Sequence, residues 1–72
     1  MTAKEEFEKL NYQHHITYNG DVRYVNSQKQ IYFQKYGKHV LIDYWGADSK
    51  DLLLNKKELK AIKHQMQEMG WL

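Results

Sequence analysis

The sequence contains no cysteine and no proline, and it has only four glycines in 72 residues. The absence of cysteine excludes disulfide bonds and thiolate metal sites. No run of 18 apolar residues is present, so no segment of this sequence reads as a membrane-spanning helix. The polar start of the chain lacks the apolar stretch of a secretory signal, so we expect a cytoplasmic protein. Because no linker or repeat interrupts the chain, residues 1–72 are expected to form a single small domain.

The chain is nevertheless rich in residues that build a core. Hydrophobic residues make up 42% of the sequence and aromatic residues 14%, a composition that is too apolar for a disordered segment. The formal net charge is +2, which by itself does not commit the protein to a polyanionic partner. A domain of this size can bury only a small apolar area, so we expect each large apolar side chain to contribute to that burial.

A capping box predicts a helix near the start of the chain. Thr2 offers a hydroxyl to a free helix N–H, and Glu5 follows three residues later. Phe7 and Leu10 then give a narrow apolar stripe, and the predicted helix covers about residues 3–10. Since such a short helix is marginal alone, we expect it to dock on the rest of the domain.

A second spacing of this kind, Asn55 and Glu58, opens a longer helix near the end of the chain. Gly70 is expected to end that helix in a left-handed conformation, with Trp71 folding back onto Met66. The predicted apolar stripe lies within one arc of about 100° and consists of Leu59, Ile62, Met66 and Met69.

The middle of the chain alternates between apolar and polar residues, which is typical of β-strands. Asn19-Gly20 and Gly37-Lys38 predict tight hairpin turns. The predicted strands cover about residues 22–26, 30–36 and 39–45, and residues 15–18 are left open as a short fourth strand.

These elements predict an α+β fold with the order α-β-β-β-α and a three-stranded antiparallel meander. Both helices are expected to cover one face of the sheet, because only one face is apolar enough to need burial. The residues predicted for that inner face are Tyr24, Ile31, Phe33, Val40 and Ile42.

No pattern for catalysis is present. The four histidines do not have the spacing of a metal site, and the sequence lacks a phosphate-binding loop, a nucleophile elbow and a pair of carboxylates placed for acid–base chemistry. We therefore predict a protein that is not an enzyme, with no catalytic residue, no metal ligand and no cofactor.

The outer face of the predicted sheet is unusually aromatic. Tyr32, Tyr36 and Trp45 alternate with polar residues there, and exposed aromatic side chains are typical of protein interfaces. We predict that this face binds a protein partner and that the chain self-associates as a homodimer. The edge strands, near 22–26 and 39–45, offer a second way to pair two copies.

Nucleic-acid binding is the alternative function. It would use either the tyrosine-rich face as a stacking platform or a lysine stripe on the second helix, formed by Lys56, Lys57, Lys60 and Lys63. Two of these lysines open the helix, where the helix dipole disfavours positive charge. The competing interpretation is a solvated face whose lysines are balanced by Glu58 and Glu68.

Residues along most of the chain carry a resemblance to a known family. They are Phe7, Leu10 and Tyr12, then Tyr24 and Ile31-x-Phe33, and finally Glu58-Leu59-x-Ala61-Ile62-x-x-Gln65-x-x-Glu68-x-Gly70-Trp71. The sequence resembles small uncharacterised proteins encoded in phages and prophages of low-GC Gram-positive bacteria. Asn11 stands where that family is expected to have glycine, and Met69 where it is expected to have leucine. The resemblance implies an accessory phage role in the cytoplasm of a bacterial host cell, with a phage or host protein as partner, and it assigns no catalytic residue.

Overall fold

A computed structural model gives the fold of the protein and describes residues 1–44 and 54–72. Two helices flank four strands in the order α-β-β-β-β-α. Among these residues, neither helix has the length and apolar character needed to cross a bilayer. The elements are α1 (Ala3–Lys9), β1 (Gln13–Ile16), β2 (Val22–Val25), β3 (Lys29–Gln34), β4 (His39–Tyr44) and α2 (Lys56–Glu68).

The strands form one antiparallel sheet in the order β1-β2-β3-β4. This confirms the predicted α+β meander and adds the fourth strand, which lies at Gln13–Ile16 rather than at 15–18. Because β1 pairs with β2, the expectation that residues 22–26 form an edge strand was wrong. The edge positions among the described strands belong to β1 and β4.

Both predicted hairpins are present, but neither has a two-residue turn. Gly37 and Lys38 have φ values of 82° and 55° and end a four-residue loop, 35–38, because Gln34 pairs with His39. The Asn19-Gly20 pair does not form a two-residue turn, because Ile16 pairs with Val22 and leaves a five-residue loop. Only Gly20 of that pair has a positive φ, of 90°.

Both predicted capping boxes are present, at Thr2 with Glu5 and at Asn55 with Glu58. The predicted end of α2 is also confirmed. Gly70 has a φ of 76°, and the Trp71 N–H donates to the Met66 carbonyl at 2.8 Å, which is the long hydrogen bond of a Schellman motif.

Asn11 occupies a backbone conformation that favours glycine. It follows α1 with a φ of 69°, a left-handed conformation that glycine adopts freely and asparagine tolerates better than most other residues. The Tyr12 N–H then donates to the Phe7 carbonyl at 3.0 Å. The turn therefore keeps the geometry that a glycine would give.

Both helices pack on the inner face of the sheet, as predicted. They lie antiparallel, because the Ala3 N–H donates to Glu68 Oε2 at 2.7 Å and His64 Nδ1 contacts Glu6 Oε1 at 2.8 Å. The buried stripe of α2 differs from the prediction, since Leu59 is 53% exposed while the facing positions are Glu58, Ala61, Ile62 and Gln65. The hydrophobic core consists of Phe7, Tyr12, Val22, Tyr24, Ile31, Phe33, Ala61 and Ile62.

Candidate functional site

The outer face of the sheet is covered by neither helix, because α1 and α2 both pack on the inner face. Tyr32 lies near the centre of the outer face, between its cross-strand partners Arg23 and Leu41. Leu41 is 50% exposed. Because this sheet face is not covered by a helix and exposes an apolar side chain, it is a candidate binding surface.

Tyr32 is held in place by a hydrogen bond. Its hydroxyl donates to Asp21 Oδ2 at 3.0 Å, and this interaction with a carboxylate raises the pKa of the Tyr32 phenol above its ordinary value. The side chain is half-buried. Tyr32 is therefore a fixed part of the sheet surface rather than a freely moving aromatic side chain.

Asp21 joins the two loops at one end of the sheet. It is 7% exposed, and its Oδ1 accepts the Lys35 N–H at 2.8 Å. Its backbone pairs with Thr17, whose N–H donates to the Asp21 carbonyl at 2.9 Å and whose hydroxyl accepts the Asp21 N–H at 3.1 Å. The carboxylate and backbone of one residue thus fix the loop 17–21 against the turn 35–38.

These two loops present exposed tyrosines. We call residues 17–21 and 35–38 the turn end of the sheet. Tyr18 is fully exposed and Tyr36 is 77% exposed, and both side chains project from loops that hydrogen bonds hold together. Lys35 and Lys38 flank Tyr36 and are exposed as well. The turn end therefore combines two large aromatic surfaces with positive charge on an ordered backbone.

The structure places two of the three aromatic residues predicted for the interface, Tyr32 on a strand and Tyr36 in a turn. Tyr32 lies on the outer face, but β3 ends at Gln34, so Tyr36 lies in the turn and not on a strand. Trp45 lies outside the described residues. Tyr18 was missed by the sequence analysis, although a tyrosine beside an Asn-Gly pair is a signal for an aromatic residue at a loop tip.

The lysines predicted for nucleic-acid binding are all exposed on α2. Lys57 and Lys60 line a groove of about 310 Å³ between the helices, and Lys9 of α1 lines it with them. Lys56 and Lys63 lie on the same helix and do not line the groove. The fold therefore places lysines from both helices on the surface opposite to the outer face of the sheet.

A polar cluster that the sequence analysis did not find is buried at the start of α2. The Tyr12 hydroxyl donates to Glu58 Oε2 at 2.5 Å, and Lys29 Nζ lies 2.8 Å from this oxygen. Burial and the hydrogen bond to Glu58 raise the pKa of Tyr12 far above its ordinary value. These groups line a cleft of about 190 Å³, but they bind one another, which is the arrangement of a structural cluster.

No group of three or more histidine, aspartate and glutamate side chains within residues 1–44 and 54–72 is placed to hold a metal ion. His14 packs against the ring of Tyr24, with the ring centroids 5.3 Å apart. Burial, together with the nearby charge of Lys4, lowers the pKa of His14. His14 therefore acts as a packing residue on the inner side of β1.

Replacing Asp21 with alanine is expected to loosen the turn end. The change removes the acceptor of the Lys35 N–H and that of the Tyr32 hydroxyl, and the free energy of unfolding should fall by about 1–3 kcal/mol. Hydrogen exchange at the Lys35 amide should become faster. Asp43→Ala, at an exposed outer-face position, is the control and should change stability by less than about 0.5 kcal/mol. Equal exchange rates at Lys35 in both variants would contradict the role given to Asp21.

Comparison of the chain with protein-family models, with curated proteins and with solved structures finds no match. The resemblance to phage and prophage proteins accordingly stays a prediction from the sequence.

Proposed function

We propose that the protein is a non-enzymatic protein-binding module whose turn end recognises an acidic segment of a partner protein. The setting we propose is the cytoplasm of a bacterial host cell, with a phage or host protein as the partner, in line with the sequence resemblance. The observation that carries the proposal is the pair of exposed tyrosines, Tyr18 and Tyr36, on loops that Asp21 fixes against each other.

Exposed tyrosines on ordered loops have the properties of interface anchors. A tyrosine supplies a large contact area and loses little conformational entropy when it binds, because it has only two rotatable side-chain bonds. The loops already have their own hydrogen bonds, between Thr17 and Asp21 and between Asp21 and Lys35. Binding therefore requires little further ordering of the backbone, which favours affinity.

The charge of the turn end favours an acidic partner. Lys35 and Lys38 are exposed, whereas Asp21, the acidic residue of these loops, is buried and accepts two hydrogen bonds. A two-fold dimer centred on this surface would bring the same lysines of two copies together, because such an interface pairs a patch with itself. We therefore propose that the turn end binds a different protein, in place of the self-association predicted from the sequence.

Selection of binding peptides tests this proposal. A displayed library of random 12-residue peptides is screened against the folded protein, and acidic peptides are expected to be enriched. Tyr18→Ala and Tyr36→Ala should each weaken a selected peptide by about 10- to 30-fold, or about 1.4–2 kcal/mol. Leu59→Ala, which truncates an exposed apolar residue on α2, is the matched control and should bind the peptide like the wild type.

Three outcomes would overturn the proposal. The first is enrichment of peptides without acidic residues, and the second is binding that neither tyrosine substitution weakens. The third is a dimer in analytical ultracentrifugation that Tyr36→Ala dissociates, since this result would assign the surface to a second copy of the chain. Circular dichroism on each variant establishes that a loss of binding is not a loss of folding.

A further inference from the structure

We infer that the helical layer is a second binding surface, which holds the phosphate backbone of a nucleic acid independently of base sequence. The residues are Lys9 of α1 together with Lys56, Lys57, Lys60 and Lys63 of α2, which we call the lysine surface. It lies on the side of the molecule opposite to the outer face of the sheet. Its lysines belong to α1 and α2, whereas the turn end consists of residues 17–21 and 35–38, so the two surfaces share no residue and can be tested separately.

The carboxylates that were expected to balance these lysines are engaged elsewhere. Glu58 is 6% exposed and pairs with Lys29 and Tyr12 in the interior. Glu68 accepts the Ala3 N–H at the far end of the helix pair, at 2.7 Å. Glu58 is thus paired with Lys29 and not with a surface lysine, whereas Glu68 is an exposed carboxylate at the other end of the helix pair.

Two acids of α1 lie close to the lysine surface. Glu6 lines the interhelical groove with the lysines; its Oε1 contacts His64 Nδ1 at 2.8 Å, and its Oε2 is buried without a hydrogen-bond partner in the part of the chain that the structure describes. Glu5 is exposed and accepts the Thr2 N–H and hydroxyl in the capping box of α1. Among the described residues, no ion pair joins a carboxylate to any member of the lysine surface. These positive charges are therefore available to an external anion.

The spacing of the lysines suits a polymer of phosphates better than a single small anion. Lys56 and Lys63 are seven residues apart, which is about 10 Å along a helix, or about three nucleotides of a strand at 3.4 Å each. Lys57 and Lys60 lie between them and face the groove that Lys9 lines from α1. The set therefore extends along α2 and across the groove instead of converging on one point.

The lack of exposed aromatic side chains on α1 and α2 also favours a nucleic acid over a protein as the ligand of this surface. Phe7, the aromatic residue of the two helices, is fully buried, so within α1 and α2 no exposed aromatic anchor is present for a protein hot spot. Lysine contributes a flexible point charge, which contacts phosphates without reading bases. We therefore expect binding that depends on backbone charge.

Fluorescence anisotropy with three labelled probes tests the inference: a 20-base-pair DNA duplex, an RNA duplex of equal length and a 20-nucleotide single-stranded DNA. Binding is expected at low salt, and the affinity for the DNA duplex should fall with a log–log slope of about −3.6 to −4.5 if four or five lysines contact phosphates. The probe with the highest affinity identifies the class of nucleic acid. An absence of binding to all three probes at low salt would overturn the inference.

A matched pair of variants separates the lysine surface from net charge. Lys57→Glu/Lys60→Glu should weaken binding at least about tenfold and make the salt slope shallower by about two. Lys4→Glu/Gln13→Glu/Gln28→Glu changes the net charge by the same amount at exposed positions outside both surfaces and should keep most of the affinity. An equal or larger loss in this second variant would reject the lysine surface. Equal competition by a polyglutamate peptide of the same charge would reject a nucleic acid as its ligand.

Discussion

Phe7→Ala is expected to remove most of the stability of the domain. Phe7 is fully buried, and its ring stacks on Tyr24 with the centroids 3.9 Å apart and an angle of 16° between the planes. It also meets the ring of Phe33 edge to face at 6.3 Å. One side chain from the short helix α1 therefore contacts both central strands of the core.

The size of the effect follows from the small size of the protein. Truncating a buried phenylalanine to alanine costs about 3–5 kcal/mol, whereas a 72-residue domain is stabilised by roughly 4–11 kcal/mol in total. At about 4–8 °C per kcal/mol, the melting temperature in a calorimetric or circular dichroism scan should fall by roughly 12–40 °C. The largest possible effect is a variant that no longer shows a cooperative unfolding transition.

Tyr18→Ala provides the comparison for Phe7→Ala. It also removes an aromatic ring, but from a fully exposed position, and should change the free energy of unfolding by less than about 0.5 kcal/mol. A Phe7→Ala protein that melts within 5 °C of the wild type would show that α1 is dispensable for the core, and it would contradict the packing described above.

The parts of the fold that could be predicted are those with local signals. The capping residues Thr2 and Asn55 lie within three positions of their partners, and Gly70 lies directly beside the helix that it ends. Such signals are complete within one short stretch of sequence. The alternation in β3 and β4 has the same character, because each residue in a strand faces opposite to its neighbour.

The errors concern features that depend on distant partners. β1 has the sequence Gln13-His14-His15-Ile16, which shows little alternation, and its strand conformation depends on pairing with β2. Tyr36 was predicted to continue β3, but the backbone turns earlier because Asp21, fourteen residues before Lys35, accepts the Lys35 N–H. No short-range pattern contains this information.

The candidate sites divide in the same way. The lysines of α2 could be predicted because a helix fixes their relative positions. The contacts of the neighbouring acids could not be predicted, since Glu58 contacts Lys29 and Tyr12, which belong to other parts of the chain. Lys29 itself lies outside the strand predicted at 30–36, yet it begins β3 and is 6% exposed. This buried ion pair is the feature for which we expect the second large effect.

Glu58→Leu is expected to cost about 3–5 kcal/mol, because it takes a carboxylate away from the buried Lys29 ammonium, to which it is ion-paired. Glu58 Oε2 contacts both Lys29 Nζ and the Tyr12 hydroxyl, and Oε1 accepts the Asn55 N–H at 3.1 Å. One carboxylate thus connects the start of α2 with β3 and with the residue that precedes β1. Urea unfolding measures the loss, and Glu8→Leu, at an exposed glutamate of α1, is the control.

A double variant distinguishes the buried charge from the lost contacts. Lys29→Met/Glu58→Leu removes both charges and fills the space with apolar atoms, so it should be more stable than Glu58→Leu alone. A double variant less stable than Glu58→Leu would show that the loss does not come from removing the carboxylate next to the Lys29 ammonium, and that the methylene packing of Lys29 matters more.

The same carboxylate should make the stability depend on pH. Burial opposes its ionisation, but the hydrogen bonds from Lys29, Tyr12 and the Asn55 N–H outweigh burial and hold the pKa of Glu58 below its ordinary value of 4.5. A carboxylate with a depressed pKa in the folded state contributes stability that is complete above its ordinary pKa and is lost as the pH falls through the lowered one. The difference in unfolding free energy between the wild type and Glu58→Gln should therefore be largest near pH 6 and shrink as the pH falls below 4.5 through the lowered pKa of Glu58. A difference that stays constant over this range would mean that the ionised form of Glu58 does not stabilise the fold.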